Sequence, residues 1–63
     1  MGLQEIARAI KKARKQAKLT QVQVADKVNI NVNYYARIER GEVQPALDTL
    51  TTIGKILKIK FTV

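Results

Sequence analysis

Residues 19–41, Leu-Thr-Gln-Val-Gln-Val-Ala-Asp-Lys-Val-Asn-Ile-Asn-Val-Asn-Tyr-Tyr-Ala-Arg-Ile-Glu-Arg-Gly, decide the fold. Thr20 followed three residues later by Gln23 is a capping-box pattern, which predicts a helix from about Gln21 to Val28 with Val24, Ala25 and Val28 inward. Asn29 tolerates the left-handed conformation that stops a helix, so the chain turns at Asn29 and Ile30. Asn31 then caps a second helix running to about Arg40, with Tyr35 and Ile38 inward and Gly41 as its stop. The result is two short amphipathic helices joined by a tight turn, crossing closely because Ala25 is only methyl-sized.

Upstream, Leu3, Ile6, Ala7, Ile10, Ala13 and Ala17 recur at steps of three and four, opposite Arg8, Lys11, Lys12 and Lys15. That pattern predicts a first helix over about residues 3–17. Downstream, residues 42–44 form a loop, Pro45 suits the first positions of a fourth helix, and Asp48 suits its positive end. Leu47, Leu50, Ile53 and Leu57 form its core stripe, while Ile56 falls roughly opposite Leu47 and needs a second apolar neighbour. Residues 58–63 alternate with period two and are rich in β-formers, which predicts a strand carrying Ile59, Phe61 and Val63 on one face. The expected fold is mainly α: one compact domain over 1–63 with four to five helices, the paired helices at about 20–40, and a short C-terminal β-strand.

Composition narrows the function. The chain has 63 residues, 46% of them hydrophobic, with three Gly and one Pro, enough for a single small core. It lacks Cys, His and Ser, and its five acids (Glu5, Asp26, Glu39, Glu42, Asp48) are scattered without pairing. The usual acid-base residue, two usual nucleophiles and the usual zinc ligands are therefore missing, so no enzyme and no cofactor is expected. No uncharged apolar run is long enough for a membrane span or a signal peptide, and a cytoplasmic location is expected. Twelve Lys and Arg give a net charge of +7, which points to a polyanionic partner. Six of these cations, Arg8, Lys11, Lys12, Arg14, Lys15 and Lys18, fall within eleven residues. By itself this cluster is equally consistent with a solvated helix face. Joined to two helices across a tight turn, it matches the layout that inserts a helix into the major groove of DNA.

The same segment closely resembles the Cro and phage-repressor type helix-turn-helix family, also called the Xre family. The residues that carry the likeness are Leu19-Thr20-Gln21, Val24-Ala25-Asp26-Lys27-Val28, Tyr34, Arg37-Ile38-Glu39-Arg40-Gly41 and Pro45-Ala-Leu-Asp-Thr-Leu50. With the patterns of the first and fourth helices the match extends over about residues 3–58. Asn29 stands where the family usually has Gly, and Tyr35 where an aliphatic residue is usual. The resemblance implies a four- or five-helix fold that binds double-stranded operator DNA as a homodimer, most simply a repressor at a palindromic site.

On that expectation, base readers are the exposed early positions of the third helix, Val32, Asn33 and, one turn on, Arg37. Asn33 can pair with adenine, Arg37 with guanine, and Val32 can pack on a thymine methyl. Asn31 and Tyr34 flank them as phosphate contacts. Free N–H groups at helix starts are natural phosphate anchors. In the family the glutamine matching Gln21 adds its amide to such an anchor, and the loop after the third helix brings the position of Arg40 along the backbone. The resemblance gives Arg14 another role, pairing with Glu39; an acid near a helix C-terminus is badly placed for the dipole, and a cation would explain it.

A lone strand has no partner in its own chain. The tail resembles the antitoxin of the persistence-kinase toxin pair, whose dimer is sealed by such a strand; this implies a dimer interface at Ile56, Ile59, Phe61 and Val63. The alternative is that residues 58–63 fold back over the fourth helix. An antitoxin that represses its own operon and binds a toxin protein is the second functional reading, and no membrane partner is expected.

Overall fold

Each helix of this chain stops on a residue with left-handed backbone, and those endings set the architecture. The computed structural model describes residues 2–61. Within them α1 (Leu3–Gln16), α2 (Gln21–Val28), α3 (Val32–Glu39) and α4 (Leu47–Leu57) follow one another. The left-handed residues are Lys18 (φ 60°), Asn29 (φ 65°), Gly41 (φ 71°) and Lys58 (φ 58°). After each, the next N–H reaches back five positions: Leu19 to the Arg14 carbonyl (3.2 Å), Ile30 to Ala25 (2.9 Å), Glu42 to Arg37 (3.0 Å) and Ile59 to Gly54 (2.8 Å). Such closures satisfy carbonyls that a helix end leaves unpaired and reverse the chain sharply.

The starts of α1, α2 and α3 are fixed by side chains, whereas Ala46 begins α4 without one. The Thr20 Oγ1 accepts the Gln23 N–H at 3.1 Å while Gln23 Oε1 accepts the Thr20 N–H at 2.8 Å, completing the expected capping box of α2. Asn31 Oδ1 accepts the Asn33 N–H at 2.7 Å and caps α3. Glu5 accepts the Gly2 N–H at 3.2 Å at the start of α1.

All four helices feed one core. Ile10, Val24, Tyr35, Ile38 and Ile53 are fully buried, and α1 and α2 each pack on both α3 and α4. Burying an aliphatic side chain of this kind contributes about 1.5–3 kcal/mol, against which each ordered residue loses chain entropy. Ala25, also buried, lies in the same cluster.

Four expectations are corrected. No strand and no fifth helix occur among the described residues. The left-handed Lys58 instead turns the chain back over Gly54, where a Cβ would lie 3.0 Å from the Ile59 carbonyl and 3.1 Å from the Phe61 ring. Ile59 and Phe61 thereby find cover on their own core; Val63 lies outside the described residues. Pro45 precedes the N-cap Ala46 rather than opening α4, and is buried. Leu47 is 80% exposed, whereas Ile56 packs against the core, so α4 turns a different face inward from the one its stripe suggested at its start.

These backbone conformations predict opposite responses to substitution. L-residues are disfavoured in left-handed backbone by about 1–2 kcal/mol, so Lys18→Gly and Lys58→Gly should each raise the urea midpoint by an amount equivalent to about 1 kcal/mol. Gly41→Ala should lower it, since alanine would be held at φ 71° and would displace the Gln4 side-chain amide.

Candidate nucleic-acid interface

A buried ion pair positions α3. Arg14 of α1 donates from Nε to Glu39 Oε2 at 2.6 Å and from Nη2 to Oε1 at 3.2 Å, and its Nη1 reaches the Leu19 carbonyl at 2.9 Å. The Glu39 side chain is only 2% exposed and that of Arg14 13%. Gln21, the first residue of α2, donates its amide to Glu39 Oε1 at 3.1 Å. One carboxylate therefore ties together α1, the start of α2 and the end of α3. Burial would push the Glu39 carboxyl up, but the hydrogen bonds from Arg14 and Gln21, the adjacent Tyr35 hydroxyl and the Arg14 charge hold it below its ordinary range. Those contacts with Glu39 outweigh desolvation and raise Arg14. Tyr35, wholly buried, brings its hydroxyl to the same group without a hydrogen bond of good geometry; burial, then the neighbouring carboxylate, raises its pKa.

With its inner side fixed, α3 leaves Asn33 and Arg37 exposed, one turn apart. Asn31 is exposed beside them, but its carbonyl oxygen is occupied by the cap. Val32 and Tyr34 are half-buried and lean on the core, so each offers less surface than the sequence implied. Arg40 is exposed just past the helix. Gln21 is half-buried, with its amide nitrogen on Glu39 rather than free in solvent.

One residue of this surface escaped the reading of the sequence. Glu42 lies 3.5 Å from Arg37 Nε and is hydrogen-bonded to Arg40 Nε, with Arg40 Nη2 at 3.5 Å. Arg40 first, then Arg37, holds its carboxyl below the ordinary range, and Glu42 in turn raises Arg40. Four further basic residues lie on α1, where Arg8, Lys11, Lys12 and Lys15 line a shallow depression. Among the described residues no group of three or more His, Cys, Asp or Glu could hold a metal ion, and no helix is long and apolar enough to cross a membrane.

A family model described as helix-turn-helix matches residues 10–63, which takes in all of α2, α3 and α4. The chain belongs to the helix-turn-helix family. It is 44% identical over 55 residues to an immunity repressor protein of Bacillus phage phi105, covering 87% of this chain and 38% of the phage protein. It is also 44% identical over 50 residues to the uncharacterized HTH-type transcriptional regulator YqaE of Bacillus subtilis strain 168, covering 79% of this chain and 43% of that protein. The chain thus spans less than half the length of these helix-turn-helix relatives.

The clasp at Glu39 has a defined pH signature. A folded pKa below the ordinary value of 4.5 means that the carboxylate stabilises the fold above that pH and loses its contribution as pH falls through the lower, folded value. Glu39→Gln should therefore be less stable than the parent at neutral pH, with the gap narrowing as pH drops below 4.5. A gap constant with pH in thermal melts would exclude a depressed pKa. Arg14→Met, which strands the buried carboxylate, should cost about 3–5 kcal/mol at neutral pH, and Arg14→Met with Glu39→Met much less.

Proposed function

We propose that this chain is the DNA-binding part of a transcriptional regulator, a repressor that recognises a palindromic double-stranded operator as a homodimer. The observation that carries the reading is the exposed pair Asn33 and Arg37 on a helix whose other side is locked into the core. Asn33 offers the donor and acceptor that match adenine, and Arg37 the fork that matches guanine. Asn31, Tyr34 and Arg40 supply flanking phosphate contacts. Gln21 presents the start of α2 to the backbone, its side chain oriented by Glu39. Val32 contributes the part of its side chain that the core leaves uncovered. The net charge of +7 supplies the long-range attraction to a polyanion. The phage relative is an immunity repressor, which supports repression as the sign of regulation.

We infer that pairing uses the outer side of α4 and the tail. Leu47, 80% exposed, borders an open groove of about 340 Å³ lined also by Leu50, Thr51, Gly54, Ile59 and Phe61. Dimeric readers of this layout contact half-sites roughly 34 Å apart, the spacing that such a pair must meet. Ile56 serves the monomer core instead.

Selection of bound duplexes from a random pool, at stated salt, tests the reading. A palindromic consensus is expected, with binding falling steeply as salt rises. Arg37→Ala should relax preference at one base pair, losing roughly 1–3 kcal/mol of discrimination there; an unchanged consensus would remove Arg37 from base reading. For the dimer, Leu47→Asp changes a side chain the monomer barely buries. It should shift sedimentation towards the monomer without lowering the helical content, and a dimer that persists would exclude this face.

A further inference from the structure

We propose that Glu42 is a positioning residue for DNA selectivity: it orients Arg37 for a base while neutralising Arg37 and Arg40 towards bare phosphates. The inference rests on the DNA reading above.

The way the helices end singles this residue out. After each left-handed terminator, the following residue closes the turn with its N–H, and at that place an apolar side chain ordinarily packs back on the helix. Leu19, Ile30 and Ile59 do so, all leaning on the core. Glu42 occupies the same place after Gly41 but is charged and exposed. The residue to which its backbone N–H bonds, at 3.0 Å, is Arg37, and its carboxylate lies 3.5 Å from Arg37 Nε. The apolar contact of this turn passes to Val43, and Glu42 instead takes hydrogen bonds from Arg40 and an ion pair with a proposed base reader, Arg37. Stability does not account for the replacement, because exposed pairs of this kind contribute little. The side chains of Arg37, Arg40 and Glu42 are 53%, 56% and 45% exposed.

Geometry gives the pair a use. A guanidinium has five N–H donors; a carboxylate at Nε leaves the two terminal nitrogens free to face guanine O6 and N7. At the right base pair, Arg37 can therefore keep Glu42 and gain the base. On an arbitrary duplex only phosphates are on offer. There the carboxylate offsets one of two positive charges and repels the backbone, so non-specific binding is weakened more than specific binding.

Glu42→Gln, which keeps size and the backbone closure, tests this against two probes: the duplex recovered by selection and a scrambled duplex of the same length. Binding to the scrambled duplex should tighten roughly three- to tenfold, with a salt slope steeper by about 0.9 for one added phosphate contact. Binding to the selected duplex should tighten less, because Arg40 is released on both duplexes whereas Arg37 is held on its base only there, so the ratio of affinities falls, while the melting temperature stays unchanged. In an Arg37→Ala background the same substitution should no longer alter that ratio. Equal tightening on both duplexes would reveal only a net-charge effect and overturn the proposal, as would no change on either. Failure of the parent chain to bind any duplex would overturn the DNA reading, and this inference with it.

Discussion

The fold is organised around one buried carboxylate. A charge in the interior is tolerated only when paired and fully hydrogen-bonded, and Glu39 meets that condition through Arg14 and Gln21. Because its partners come from α1 and from the first residue of α2, neither helix can shift against α3 without exposing an uncompensated charge. Apolar contacts alone would tolerate small slides between short helices. The directional bonds at Glu39 do not, and the angle between α2 and α3 is thereby held by chemistry rather than by packing alone. Arg14 also fastens the connection between α1 and α2 through the Leu19 carbonyl.

Economy of turns is the second organising element. With 63 residues and no Cys, the chain relies on neither disulfides nor long connections. Its helices are joined by abrupt reversals whose backbone groups are satisfied within the turn itself. Lys18 and Lys58 accept left-handed strain to achieve this, whereas Asn29 and Gly41 are residue types suited to it. The gain is that Leu19, Ile30 and Ile59, although outside the helices, add apolar cover to the core.

Much of this was legible in the residues. The capping box at Thr20 and Gln23, the Asn31 cap and the stop at Asn29 each rest on local chemistry that needs no tertiary knowledge, and each stands in the structure. The inward positions of α2 and α3 followed from periodicity. Long-range facts were harder. Period-two alternation in Ile59 and Phe61 looks the same whether a segment pairs as a strand or doubles back on a helix. Only the missing side chain of Gly54 indicates the space that admits the reversal. For α4, Leu47 continues the stripe of Leu50, Ile53 and Leu57, and periodicity cannot tell that no other element covers it. The left-handed lysines carry no signal, since a long flexible cation is an ordinary surface residue. Glu42 carries no signal of its own in the sequence, because it stands out only as the exception among four turns whose likeness is a matter of backbone geometry.

The brevity of α2 and α3 has an evolutionary and engineering consequence. Each has eight residues, too few to persist as an isolated helix in water. The α2–α3 segment is thus not a cassette that could be excised and grafted onto an unrelated scaffold. Its shape is lent to it by α1 and α4, so whatever module is exchanged among longer proteins must travel as the entire four-helix body.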